Sequence, residues 1–288
     1  MITIQLRGGL GNQLFQYAMA RSIALRHEED LQLDLTFFRS YKWHAYSLAP
    51  FSIKASIAEE NWCDKILKQQ NSISNRLLRK IGFSNFLVYE KSLRFNQAYK
   101  DIGPNAYLIG FWQNENYFSD YASQLRKDLQ ITVHPSEDNA KLLSKILSCE
   151  SVSLHIRRGN YVSVPSVNKV LGTCSIDYYR LSIRYLKEKL KNPSFFVFSD
   201  DIDWAKENFK GNDHFYFVDI NDAYHDFEDL RLMMNCNHHV IANSSFSWWA
   251  AWLNPSPSKI VIAPNRWFAD QKKDIEVREL VPKSWIRL

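Results

Sequence analysis

The sequence predicts an α/β chain in two halves, each with parallel strands joined by crossover helices. Three observations carry this. The chain opens strand, glycine turn, helix, strand, which is the start of a Rossmann-like unit. The second half alternates short apolar runs with helical stretches, the pattern of a parallel sheet. At 288 residues the chain is long enough for two modest domains with real cores.

Ile2-Thr3-Ile4-Gln5-Leu6 alternates as a strand, Arg7-Gly8-Gly9-Leu10-Gly11-Asn12 is a glycine-rich turn, and Gln13 to His27 is a helix with Leu14, Ala18 and Leu25 on one face. Leu31 to Leu35 is the second strand. Helical patches are expected at Glu59 to Lys68 and Ser74 to Lys80, and strands at Phe86 to Tyr89 and Ala106 to Trp112. His134-Pro135-Ser136 followed by a helix from Glu137 to Leu147 marks the boundary, giving domains 1–147 and 148–288. Beyond it, strands end at Arg157, Ser199, Asp219, Asn243 and Pro264. Helices fill the gaps at Ser175 to Lys191, Ile202 to Phe209, Asp226 to Cys236 and after Ser245, with Ser175 as an N-cap.

Composition excludes several classes. Apolar residues at 45% and charged residues at 23% are ordinary for a soluble globular protein. The net charge of +5 is mild and its Lys and Arg are dispersed, which argues against nucleic acid and suits a small polyphosphate ligand better. Cys63, Cys149, Cys174 and Cys236 lie far apart, without C-x-x-C, and read as reduced structural thiols of a cytoplasmic protein. No signal segment or membrane-spanning run is evident, so the expected location is the cytoplasm, with peripheral contact to the inner membrane left open. Oligomeric state is not legible.

The strands of the second half deliver polar residues at their C-terminal ends, where open α/β sheets bind ligands. Foremost is His155-Ile156-Arg157-Arg158-Gly159-Asn160-Tyr161. Two arginines and a histidine closing a buried strand are costly without an anion to meet them. Asn243-Ser244-Ser245 precedes a helix, where it serves either as a plain cap or as an anion seat on the helix dipole. Asp226, Glu228 and Asp229 open another helix; locally they read as dipole complements, although Asp229 could also accept from a guanine edge. Ser199-Asp200-Asp201-Ile202-Asp203 contains a D-x-D, either a metal seat or a helix cap. Gly8-Gly9-Leu10-Gly11-Asn12-Gln13-Leu14 is an incomplete dinucleotide fingerprint, with Asp34 where a ribose-binding acid would sit. Its other readings are a tight turn, or Asn12 and Gln13 as amides in an interdomain cleft. His238-His239 reads as structural.

Six blocks in order resemble the bacterial α-1,2-fucosyltransferases of glycosyltransferase family 11. They are Gly8-Gly-Leu-Gly-Asn-Gln-Leu-Phe-Gln-Tyr17, Tyr107-Leu-Ile-Gly-Phe-Trp-Gln113, His155-Ile-Arg-Arg-Gly159, Phe198-Ser-Asp-Asp201, Ile241-Ala-Asn-Ser-Ser-Phe-Ser-Trp-Trp249 and Val261-Ile-Ala-Pro264. The resemblance implies a GT-B fold, two Rossmann-like domains facing across a cleft. It implies GDP-β-L-fucose as donor, the 2-hydroxyl of a terminal β-galactoside as acceptor, inversion, and no metal or other cofactor. Arg157, with Arg158, would stabilise the departing GDP. His155, Asp200, Asp229, Asn243, Ser244 and Ser245 would hold the donor. Acceptor contacts are expected from Asn12, Gln13, Gln16, Trp112, Gln113 and the loop 162–172.

The family pattern places an aspartate where this chain has Asn160, and an amide accepts no proton at neutral pH. If position 160 is the general base, the chain is impaired and Asn160→Asp should raise turnover at least about tenfold. If the position only orients Arg157, Asn keeps activity. A loose transition state would need little base help. Three other functions compete: a metal-dependent glycosyltransferase using Asp201 and Asp203, a nucleotide-sugar-binding protein without catalysis and, more distantly, an NAD oxidoreductase.

Overall fold

A computed structural model describes residues 1–69, 86–209 and 214–288. The chain divides into two compact units, Met1–Thr132 and Val133–Leu288. The expected helix at Ser74 to Lys80 lies outside the described residues.

The first unit holds a five-stranded parallel sheet. Its strands are β1 (Ile2–Gln5), β2 (Leu31–Asp34), β3 (Ser56–Ile57), β4 (Leu87–Tyr89) and β5 (Ala106–Ile109), in the order β3-β2-β1-β5-β4. Ile2 is in register with Leu31 on one side and Ala106 on the other. All four residues of β1 are buried, as expected of a central parallel strand covered on both faces. The chain leaves β1 through Gly8, whose φ of +74° a side chain would resist. Helix Leu10–His27 starts three residues earlier than Gln13, because Gly9 is already extended and its carbonyl accepts from Asn12 and Gln13. Its first four turns are buried almost all round rather than along one stripe.

Asp34 is enclosed within this unit. It accepts from Gln5 Nε2 at 2.9 Å, from Thr36 N at 2.7 Å and from the Tyr107 hydroxyl. A buried acid so satisfied is a structural knot, which removes the ribose-binding reading.

The second unit carries a six-stranded parallel sheet: β6 (Ser151–Ile156), β7 (Ser194–Ser199), β8 (Phe215–Val218), β9 (His238–Val240), β10 (Val261–Ala263) and β11 (Ile286–Arg287). The order is β11-β10-β9-β6-β7-β8. The chain starts at β6, winds outward through β7 and β8, then returns to build β9 to β11 on the other side. The topological switch point therefore lies between β6 and β9. Val152, Leu154, Ile156, Phe195, Val197, Val240 and Ile262 form the core with Tyr179 and Leu186 of helix Ile176–Lys189. Ser175 caps that helix, accepting from Tyr178 N.

Helix Glu137–Leu147, which the sequence leaves with the first half, bonds within the second unit. Asn139 and Asn221 exchange amide hydrogen bonds at 2.7 and 3.0 Å. Two short helices, Gly159–Ser163 and Pro165–Leu171, stand where the sequence reads a loop. His239 is buried between Ser153 Oγ and Asn254 Nδ2, and burial keeps its pKa well below the ordinary value, a structural role as expected. The four cysteines are free thiols. Among the described residues no helix is long and apolar enough to cross a membrane.

Candidate functional site

The switch point of the second unit places the ends of β6 and β9 side by side, and the sequence puts its most polar residues there. Arg157 and Arg158 leave β6 on a turn that is fixed from β7. Arg157 Nη1 meets Asp200 Oδ2 at 2.8 Å, and the Arg158 backbone N–H donates to Asp200 Oδ1 at 2.7 Å. Arg158 Nε donates to Asp201 Oδ2 at 2.9 Å, and its guanidinium lies 4.1 Å over the Trp204 ring. Asp200 comes this close because Gly159 has no side chain; a Cβ there would overlap its carboxylate. The remaining half of the fork is held by Asn160, whose Oδ1 accepts from Arg157 Nη2 at 2.8 Å, while Tyr161 supports the guanidinium at 5.1 Å. Arg157 is thus oriented by one acid and one neutral amide, with a quarter of its side chain exposed.

This bears on the donor contact expected of Asp200 and on the metal-seat alternative for Asp201. Asp200 brackets the arginines rather than offering a free contact to the donor. Asp201, on which a metal seat would depend, spends Oδ2 on Arg158 and Oδ1 on the backbone N–H of Trp204. An arginine at that distance opposes a divalent cation on the same carboxylate. Among the described residues no three His, Cys, Asp or Glu side chains are grouped to hold a metal.

His155, the last but one residue of β6, packs its ring 5.6 Å from Phe246 on helix Ser245–Leu253. The strand end and the helix start therefore adjoin. Burial, aided by Arg157, pushes the His155 pKa down to about 3, so the ring is neutral. Among the described residues its Nδ1 is buried without a partner. A buried polar atom in that condition needs a reason, and a ligand atom supplies one. Ser244 is the N-cap, its hydroxyl accepting from Phe246 N, and Ser245 opens the first turn. Asn243 does something else. Its Nδ2 donates to the carbonyls of Leu171, Gly172 and Trp267. It ties two loops together, so its Nδ2 is spent within the protein.

Asp229 is largely buried and accepts from Asn221 Nδ2 at 2.7 Å. Burial raises its pKa to about 6, and Asp226 beside it is raised to about 6 as well, by burial and by Asp229. Such a carboxylate is still ionised at neutral pH and suited to a neutral donor pair such as a guanine edge.

In the first unit the predicted acceptor residues separate. Gln13 is fully buried and donates to Gly8 O and Ala45 O while accepting from Ser47 N. Gln16 is fully buried, bridging Arg7 N and Gly110 O. Trp112 is fully buried against Tyr99 and Tyr117, its unusual φ of +56° fixed by Glu90, which accepts from the Phe111 and Trp112 N–H groups. Gln13 and Gln16 spend their amides on the unit's own backbone, and Trp112 is enclosed with its indole Nε1 lacking a partner among the described residues. Asn12 and Gln113 are partly exposed and joined, Gln113 Nε2 donating to Asn12 Oδ1 at 2.7 Å. The cap reading of the D-x-D holds for Asp201, whose Oδ1 accepts from the Trp204 backbone N–H at the start of helix Ile202–Phe209. The roles of Tyr161, Trp204 and Asn221, and the pairing of Asp201 with Arg158, were not legible, since each depends on spatial contacts that motifs do not show.

The family model for glycosyl transferase family 11 matches residues 1–288. An alpha-1,2-colitosyltransferase of Escherichia coli is 37% identical, with 100% of this chain and 99% of that protein covered. The O-antigen biosynthesis glycosyltransferase WbnK of Escherichia coli is 32% identical over 98% of this chain and 99% of its own. A galactoside alpha-(1,2)-fucosyltransferase 1 of Aotus azarae is 28% identical over 55% of this chain and 46% of its own. Among solved structures, an Arabidopsis thaliana FUT1 complex with GDP covers 90% of this chain and 69% of its own at a TM-score of 0.54 and 14% identity. The fucosyltransferase NodZ from Bradyrhizobium covers 88% of this chain and 93% of its own at a TM-score of 0.51 and 13% identity. These likenesses establish the GT-B fold class, and the full-length match establishes the lineage: the chain belongs to glycosyltransferase family 11.

Proposed function

We propose that the chain transfers L-fucose from GDP-β-L-fucose to the 2-hydroxyl of a terminal β-galactoside, with inversion and without a metal. The observation that carries this is the fixed Arg157–Arg158 turn at the switch point, with the unpartnered His155 Nδ1 and the start of helix Ser245–Leu253 beside it. Cleaving the glycosyl–phosphate bond builds negative charge on the departing diphosphate. An arginine already locked in place, assisted by backbone N–H groups at a helix start, stabilises that charge with little reorganisation. In this reading His155 gives its Nδ1 to the nucleotide, and Asp229 accepts from the guanine.

A second donor has specific support, because the relative at 37% identity is named a colitosyltransferase. Colitose is fucose without the 3-hydroxyl, so both donors present the same GDP and the same ring to these residues.

Calorimetry with GDP tests the core of the reading. Arg157→Ala should weaken GDP binding at least about tenfold, since a charge-assisted hydrogen bond is worth ~1.5–3 kcal/mol. EDTA should leave the parent affinity unchanged. Equal affinity in the variant, or loss of binding in EDTA, would remove the arginine-based site.

A further inference from the structure

We propose that Trp43 is the platform on which the acceptor's galactose ring stacks, an assignment that rests on the glycosyl-transfer reading above. Its loop leaves the C-terminal end of β2, next to the glycine turn that leaves β1. That is the ligand-binding edge of a parallel sheet.

Trp43 is 66% exposed, and among the described residues it makes no hydrogen bond and no ring contact. Its indole is open to a ligand at the sheet edge where ligands bind. Its loop is nevertheless fixed. Gln13, buried beneath it, donates to Ala45 O at 2.8 Å and accepts from Ser47 N at 2.9 Å. The His44 ring lies so close to Gly9 that a Cβ there would meet it at 3.1 Å. Tyr41 sits 4.9 Å from Phe37 and 6.2 Å from His44, ring centre to ring centre. Arg7 closes the circuit 5.2 Å over Phe37. The chain on either side of the indole is thus held, and little loop ordering is lost when a ligand covers it.

The chemistry fits a neutral sugar. A β-galactoside carries its C3, C4 and C5 hydrogens on one face, which packs on an indole while its hydroxyls point outward. Arg7 can meet a hydroxyl. Its side-chain hydrogen bonds among the described residues both go to Gln5 Oε1, and no carboxylate pairs with it. The buried Gln13, expected from the sequence to touch the acceptor, then acts one layer down by holding the loop that does.

Saturation-transfer NMR with methyl β-galactoside, and steady-state kinetics with lactose and GDP-fucose, test the assignment. In the parent protein the galactose C3–C5 protons should receive saturation, and Trp43→Ala should abolish it. In kinetics Trp43→Ala should raise the acceptor KM at least tenfold with the GDP affinity unmoved, and Trp43→Phe should recover most of the loss. An unchanged acceptor KM in Trp43→Ala, or undiminished saturation transfer, would overturn the platform and leave the transfer function standing. Sugar binding at Trp43 with no fucose transfer would do the reverse. No galactoside contact at all, with Trp43 protected by another macromolecule, would overturn the platform in favour of a docking surface.

Discussion

Asp229 is a carboxylate kept where it destabilises the fold. Burial raises its pKa to about 6 from an ordinary 3.8. The folded state therefore binds this proton more tightly than the unfolded chain does. The cost of ionisation is fully present above pH 6 and vanishes below about 3.8. Asp229→Asn should raise the melting temperature at pH 7.5, with the gain shrinking as pH falls through 6 and absent below 3.8. The same change should weaken GDP binding at least about tenfold, because the amide presents an N–H donor where a carboxylate accepts. In the parent protein GDP affinity should fall as Asp229 protonates below pH 6. Scanning calorimetry and titration calorimetry check both halves; an unchanged GDP affinity would make Asp229 a helix-dipole complement only. Single residues were also where the sequence misled. Gln13 and Gln16 carry polar groups next to a glycine turn and read as ligand contacts, but their amides are consumed by Gly8, Ala45, Gly110 and Arg7. A side-chain amide looks alike in sequence whether it faces a ligand or a carbonyl.

At the scale of the element, the strand β6 and its following turn form one device. The strand was legible because both its faces are apolar or small. The helices Gly159–Ser163 and Pro165–Leu171 were not, because each is too short to show a helical period. The geometry also revises the expectation for position 160. Arg157 already pairs with the Asp200 carboxylate, and Asn160 supplies the second acceptor without adding charge. A carboxylate introduced there would face the guanidinium, stay ionised and be a weak base. Asn160→Asp should therefore change turnover by less than tenfold, whereas Asn160→Ala, which frees half of the Arg157 fork, should lower it at least about tenfold. Turnover numbers at saturating donor and acceptor decide this. A rise of tenfold or more in Asn160→Asp would return the position to proton transfer.

At the scale of the whole molecule, the second parallel sheet was legible from alternation and spacing, since parallel strands repeat as apolar runs between amphipathic helices, whereas in the first only the β–turn–α–β opening was, and the two-residue strand Ser56–Ile57 is too short to show a period. The family was legible because six motifs fall in order along the chain, and its full-length match follows. What stayed hidden was the pairing between distant segments, such as Arg158 with Asp201 and Asn139 with Asn221, which only the sheet order brings together. The donor sugar is also undecided by motifs, because GDP is the part the arginine turn addresses. The most direct measurement is NMR of the product formed from a terminal β-galactoside and GDP-fucose, with GDP-colitose in parallel, in the presence of EDTA. The predicted result is an α-1,2-linked fucosyl galactoside, formed at a rate unaffected by EDTA. Binding of GDP-fucose with no glycoside product, or transfer that stops in EDTA and returns with manganese, would contradict it.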